Sequence, residues 1–418
     1  MLALTAMLAT ALSISNALNF LQDQFKPQTR NGQLLSVGSL FRRPVSTAQG
    51  YRGTVQIVGD VYLDVVAKVD DLPAWDGDTS ITSPIETLPG GSALNTAVQL
   101  NNLLRTRKQG RQARPVRHCT LHSRVGTDLY GDLVADYIRD AGVDLSATRA
   151  GGQGVCICLS GDADRAFVSY KGSVGQLSES DIDIAALLQR GTRHVHFASY
   201  YDCVQLQPAV PRLIAQAKKR CNATVSIVPQ YDSSGEWVSS GLIELLPQID
   251  VLLCNQREAA AIAGVSYEGR RPSWAELDRA VSSLLQMGVP LVVITLGADG
   301  AIAASNAQWW FQPTIREESP VDTTGCGDAF VAGFLFGWCG GRDVRRGLVY
   351  GCACGSAAVG QMGGSTPLTS DTINNFLPDV IEDGKWSDGQ KSGLSFEMER
   401  RGQGMPVQTE AVEEMVEA

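Results

Sequence analysis

Five short apolar runs separated by amphipathic stretches constrain this chain more than any other feature. The runs are Thr54–Val61, His194–Ala198, Thr224–Val228, Asp250–Cys254 and Leu291–Leu296. Asn95–Leu104, Tyr130–Ala141, Pro208–Lys219 and Ser273–Met287 carry apolar residues at helical spacing between them. A strand covered on both faces reads as a continuous apolar run, and parallel neighbours need helical crossovers. The pattern therefore predicts an open parallel sheet between two helical layers, a Rossmann-like three-layer α/β/α fold. Two regions break the rhythm. Val65–Leu88 and Gly154–Tyr170 alternate apolar and polar residues, with Gly and Asp turns between. They predict a small antiparallel sheet inserted as a lid.

The composition permits such a core and narrows the function. The 418 residues are 44% hydrophobic and 19% charged, enough for one large α/β domain or two smaller ones. No apolar run reaches the ~18 residues of a membrane helix, so no membrane partner is expected. A net charge of −9 argues against non-specific nucleic-acid binding, and is neutral toward a nucleotide whose phosphates are met locally. Ten cysteines form no metal framework, and Cys156 with Cys158, like Cys352 with Cys354, are read as reduced core thiols. A reducing compartment fits best.

Residues 1–50 differ from the rest. Asp23 is their only acid, and Lys26, Arg30, Arg42 and Arg43 follow among Ser, Thr and Gln. Leu2–Leu12 is similar to a short signal core, with Ser15-Asn16-Ala17 as a loose cleavage site, but no Lys or Arg precedes it. An acid-poor leader with Arg and Ser also fits a plastid or mitochondrial transit peptide. The plainer readings are a disordered extension or a misassigned start. The expected division is a leader over 1–50, one domain over 51–378, and a disordered Gly-, Glu- and Lys-rich tail over 379–418. The expected location is the cytoplasm, or an organelle if the leader is an address. The basic segment Arg105–Arg117 reads as a solvated loop rather than an anion-binding patch.

The strongest chemical signal is Asp322-Thr323-Thr324-Gly325-Cys326-Gly327-Asp328-Ala329-Phe330, placed just before an apolar helix. Gly325 and Gly327 let the backbone approach a ligand. Free N–H groups at a helix start favour an anion. Asp328, on the first turn, would accept the proton of an alcohol while the amides of Gly325, Cys326 and Gly327 meet the transferring phosphoryl group. Alone, the segment also reads as a helix cap.

Its companions narrow the choice. DTTGCGDAF resembles the C-terminal signature of PfkB-type carbohydrate kinases, and Pro89-Gly90-Gly91-Ser92-Ala93-Leu94-Asn95-Thr96-Ala97 resembles the N-terminal one. Gly59-Asp60-Val61-Tyr62-Leu63-Asp64, Asn255-Gln256-Arg257-Glu258, Thr295-Leu296-Gly297-Ala298-Asp299-Gly300 and Gly363-Gly364-Ser365-Thr366-Pro367 match further segments of that family in the right order. The resemblance spans Thr54 to Pro367 and implies a ribokinase-like fold. It implies ATP-dependent phosphorylation of a hydroxyl on a sugar or sugar-like small molecule, with Asp328 as base.

It also implies roles. Asp64, Gly90, Gly91 and Asn95 would hold the sugar together with Asp328. Thr295, Gly297 and Gly300, with Asn255 and Gly327, would meet the nucleotide. Asn255 and Glu258 would organise Mg²⁺ through its waters, although the pair also reads as an N-terminal helix cap. Asp322 and Thr324, with Ala358 and Gly363, match the position of a monovalent cation such as K⁺. That cation and a homodimer stay open options.

The sequence departs from the family pattern at Cys326, where a smaller residue is commoner, and at Val228, where many members carry Asp before Pro. Two rivals remain: a nucleoside kinase with Tyr62, Phe167 and Tyr170 as walls of a base slot, and a catalytically silent binding or regulatory protein. A dinucleotide-binding dehydrogenase is excluded, since no G-x-G-x-x-G follows the first strand.

Overall fold

The computed structural model describes residues 53–369 apart from 74, 82, 107–115, 162–164, 270 and 316–320, together with 372–373, 376–377 and 387–389. The leader, most of the tail and the centre of the basic segment lie outside these residues.

In chain order the strands are β1 (Thr54–Val58), β2 (Tyr62–Lys68), β3 (Glu86–Gly90), β4 (His118–Val125), β5 (Asp144–Arg149), β6 (Gly154–Ser160), β7 (Arg165–Tyr170), β8 (Thr192–Phe197), β9 (Thr224–Ile227), β10 (Val251–Asn255), β11 (Leu291–Thr295), β12 (Ala301–Ser305), β13 (Trp309–Gln312) and β14 (Ser387–Gly389). The main helices are α1 (Ser92–Thr106), α2 (Leu129–Asp140), α3 (Val210–Cys221), α4 (Gln256–Ile262), α5 (Trp274–Gln286), α6 (Cys326–Trp338) and α7 (Val344–Val359).

The large sheet has the order β14-β13-β12-β11-β10-β9-β8-β1-β4-β5. From β11 to β5 every neighbouring pair is parallel. The expected parallel α/β body is present, and all five apolar runs are strands in it. Alternate side chains along each strand enter opposite layers. Leu252 and Ile294 pack with Leu213 of α3 and Leu284 of α5. Their neighbours Leu253 and Val293 pack with Phe334 of α6 and Leu348 of α7. On that same side Val55 and Ile57 meet Leu94 and Val98 of α1. Each such buried side chain contributes about 1.5–3 kcal/mol. Helix α6 is apolar on almost every side, as a helix between sheet and neighbouring helices must be.

The lid is a four-stranded sheet in the order β3-β2-β6-β7. It is not wholly antiparallel as the alternation suggested, because β2 and β6 run parallel. The reason is topological. Both strands leave the C-terminal ends of parallel strands, β2 directly after β1 and β6 directly after β5, so they set out in the same direction. Alternation reports which face a residue takes, not strand direction. The first apolar run also ends early. The turn Gly59-Asp60-Val61 lies between β1 and β2, and a Cβ on Gly59 would press on the backbone of Ala198.

Candidate active site

The site begins where α1 meets the turn after β1. Asp60 accepts the backbone N–H groups of Ser92 (2.9 Å) and Ala93 (2.8 Å), the first two residues of α1. These are orphan donors of a helix start, and a carboxylate there also meets the positive end of the helix dipole. Asp60 is 3% exposed. Burial pushes its carboxyl up to about 7 against the Ala93 hydrogen bond, with further push from Asp202 and Asp328.

Asp328 sits on the first turn of α6 and faces the same helix start. Its Oδ1 accepts the Ser92 hydroxyl at 2.6 Å, and its Oδ2 accepts Asn95 Nδ2 at 2.8 Å. Burial raises its pKa, and these two donors oppose the rise by favouring the ionised form. Asn95 Oδ1 is buried and has no protein partner.

Asp64 projects from β2 beside Gly90, where any Cβ would overlap its carboxylate. Burial pushes Asp64 up to about 7, and the charges of Asp60, Asp328 and Asp322 add to the effect. Four carboxylates thus share one electrostatic neighbourhood. Gly91 carries φ +101° between β3 and α1.

The anion loop stands on the other side of Asp328. Gly325 takes φ +74° as the cap residue of α6. A Cβ on Gly327 would meet nothing within 4 Å, so this stretch of backbone faces open space. The thiol of Cys326 donates to the Thr323 carbonyl at 2.8 Å. Asp322 orders the loop: Oδ1 accepts Thr324 N–H at 2.8 Å, and Oδ2 accepts Gly363 N–H at 3.0 Å. The carbonyl of Gly363 accepts one backbone N–H, from Thr366, and that of Ala358 accepts two, from Gly360 and Gln361.

A cavity of about 240 Å³ opens from Asp328 along the strand ends, lined by Asn255, Glu258, Thr295 and Gly325 to Gly327. Asn255 and Glu258 form a capping box at the start of α4. Asn255 Oδ1 accepts the N–H groups of Arg257 and Glu258, and Glu258 Oε2 accepts the N–H of Asn255. Asn255 Nδ2 donates to Glu258 Oε1 at 2.7 Å. Burial pushes Glu258 up to about 7 against these bonds, with Asp328 adding to the rise. The capping role expected as the plainer reading is real. It leaves lone pairs on both Glu258 oxygens, each of which takes one donor.

The sequence-derived residues fall into three groups. Asp64, Gly90, Gly91, Asn95 and Asp328 gather between lid and sheet. Gly325, Cys326, Gly327, Asn255, Glu258 and Thr295 line the cavity. Asp322, Thr324, Gly363 and Ala358 form the supporting turn behind the loop. Gly297 (φ +64°) faces open space just beyond β11, and Gly300 (φ +106°) packs against the backbone of Gln312 and Pro313. Asp60 and Ser92 were not singled out as site residues. The available signal was an acid in the turn leaving β1 and a hydroxyl at the first position of α1. Val228, the departure noted above, is an apolar wall of the cavity with Leu253, Val293 and Phe330.

A carboxylate on the first turn of a helix, beside a glycine loop at the end of a parallel sheet, is an arrangement suited to phosphoryl transfer to an alcohol. Comparison with known proteins supplies the family. The pfkB family carbohydrate kinase model matches residues 53–371, most of the chain, and the chain belongs to that family. It is 30% identical over 328 residues to the ATP-dependent ribose-1-phosphate kinase of Halopiger xanaduensis, covering 78% of this chain and 98% of the relative. Among solved structures, it superposes on adenosine kinase from Sinorhizobium meliloti with a TM-score of 0.64 at 21% identity, covering 78% of this chain and 98% of the other. Arabidopsis thaliana ribokinase complexed with ribose and ATP gives 0.62 at 20%, with coverages of 78% and 98%. No helix among the described residues is long and apolar enough to cross a membrane.

Proposed function

We propose that the chain transfers the γ-phosphoryl group of ATP to a hydroxyl of a sugar, with Asp328 as the general base and the amides of Gly325, Cys326 and Gly327 as the anion hole. The observation that carries this reading is the placement of Asp328. It is buried, held at both oxygens, and lies between the Asp64–Asn95 side and the cavity that reaches Asn255 and Thr295.

The sugar sits against Asp64 and Asn95. A carboxylate accepts a pair of hydroxyls, and the unpartnered Asn95 Oδ1 is a buried acceptor that a substrate O–H would satisfy. Asp328 takes the proton of the attacking hydroxyl. ATP lies along the cavity, with Thr295 and Gly297 at its phosphates. Glu258, whose oxygens each take one donor, and Asn255 fit Mg²⁺ held through its waters. The ion held there would supply positive charge to offset the negative charge developing on the phosphoryl group. The Gly363 carbonyl, which keeps a spare lone pair, suits a monovalent cation behind the loop, whereas both lone pairs of the Ala358 carbonyl are taken. The lid excludes water that would otherwise take the phosphoryl group.

A nucleoside is the second reading, and one observation favours it. Phe167 is 52% exposed and, by strand register, lies on the same lid face as Asp64. Tyr62 is buried and Tyr170 lies on the opposite face, so neither forms a slot there. An ATP-consumption screen over ribose, fructose, ketodeoxygluconate and nucleosides, run beside Asp328→Asn, tests both. Turnover on a sugar that the variant abolishes supports the first reading, turnover on nucleosides alone supports the second, and no turnover on any of them removes both.

A further inference from the structure

Ser92 occupies a position that none of the assigned roles explains. It is 5% exposed and opens α1. Its backbone N–H is tied to Asp60 at 2.9 Å, while its hydroxyl reaches across to the other helix start and donates to Asp328 Oδ1 at 2.6 Å. The separation is in the range of a charge-assisted O–H···O⁻ bond. A hydroxyl carries a single proton, and among the described residues Ser92 Oγ donates to no group except Asp328. With Asn95 Nδ2 on Oδ2, both carboxylate oxygens already accept a donor. A proton on either oxygen would take up a lone pair there and weaken the bond already made.

We propose that Ser92 is a positioning residue for the base. Held through its amide by Asp60, it keeps Asp328 ionised and in one rotamer, ready to receive the proton of the substrate hydroxyl. This rests on the reading of Asp328 as the base. The surroundings make such a donor necessary. The carboxyls of Asp60 from the β1–β2 turn, Asp64 from β2 and Glu258 from α4 share its surroundings, and the charge of Asp328 pushes each of them up. Burial pushes Asp328 itself up. Only Ser92 and Asn95 work in the opposite direction. If the bond did not favour the ionised form, its loss would change stability without changing acidity.

The test is a carboxyl-¹³C aspartate titration of the full chain without substrate, with the Asp328 signal assigned by its loss in Asp328→Asn. Removing a hydrogen bond to the charged form raises the pKa, so Ser92→Ala is expected to move the Asp328 midpoint up by about one unit. Ser92→Thr, which retains the hydroxyl, is expected to restore it. Ser92→Cys, close in size and a weak donor, is expected to fall between and serves if Ser92→Ala does not fold. A Ser92→Ala midpoint within about 0.2 units of wild type overturns the proposal, as does a Ser92→Thr midpoint as high as that of Ser92→Ala. In turnover, the acid limb of kcat/KM should shift upward by the same amount in Ser92→Ala, with the KM for ATP unchanged. If the wild type phosphorylates nothing, the functional reading fails, while the titration still decides the role of Ser92.

Discussion

Gly325 and Gly364 pack backbone against backbone: a Cβ on Gly325 would overlap the α-carbon of Gly364. A Cβ on Gly364 would in turn come within 2.5 Å of Asn95 Nδ2. The anion loop, the late glycine turn and the sugar-side amide therefore meet with no side chain between them. Gly325 also takes φ +74°, a backbone conformation that costs a residue with a Cβ about 1–2 kcal/mol. Gly325→Ala should lower the Tm by several degrees and cut turnover at least about a hundredfold, since a donor of the anion hole moves. Gly327→Ala is the control, because its Cβ would enter open space. It should leave the Tm unchanged and impair turnover alone. A thermal melt beside an ATPase-coupled assay separates the two, and equal Tm losses would refute the packing argument.

Asp328→Asn should lower kcat by about two to four orders of magnitude, the usual loss when a general base is removed. The amide keeps the size of the side chain, so the affinity for ATP, read by calorimetry, should hardly change. Retention of more than about a tenth of the wild-type rate would assign the base elsewhere.

Asp64→Ala should raise the KM for the sugar far more than the KM for ATP, because hydroxyls lose a buried acceptor. Equal effects on both substrates would remove Asp64 from the sugar site.

The raised carboxyls also make a prediction for stability. Asp64 titrates near 7 in the fold against an ordinary value of 3.8, so the folded state binds the proton more tightly than the unfolded chain. Between these values stability falls as pH rises. The contribution is fully present below about pH 4 and lost by about pH 7. Urea denaturation of ligand-free protein across that window should show a shallower decline for Asp64→Asn than for wild type. An unchanged slope would mean that Asp64 is not the group responsible.

The leader is a separate case. The family match begins at residue 53, and β1 begins at Thr54. A chain starting near Gly50 should keep its activity and Tm, and residues 1–50 fused to a fluorescent protein should report any organelle address. Diffuse cytosolic fluorescence would remove the targeting idea, and a loss of Tm on truncation would place the leader within the fold.

How much of this was legible in the sequence depended on whether the signal was local. Five of the seven parallel strands (all but β4 and β5), Asp328 at a helix start, and the Asn255–Glu258 box are written within a few consecutive residues. They stand in the structure as read, with strand ends moved by a few positions. The direction of β6 depends on where β5 ends, which alternation does not encode. The antiparallel edge formed by β12 and β13 is not legible in the sequence, because Ala301–Ser305 is small and only weakly β-patterned. Asp60 and Ser92 could be read as a turn acid and a small helix-start residue. Their partners are 32 and 236 positions away, and only the folded chain brings them together.

The connections of the lid have a mechanical consequence. The small sheet is rooted in the body by residues 59–61 after β1, by residues 150–153 after β5, by Gly91 alone between β3 and α1, and by Lys171 alone between β7 and the helical turn Gly172–Gly175. A plate fixed at four short posts does not swing from one hinge; it tilts, and every tilt loads all four. One of the two single-residue posts ends on Ser92. Displacement of the sheet is therefore transmitted into the residue that holds Asp328. With Asp328 as the proposed base, covering the sugar and setting that base would be one motion rather than two.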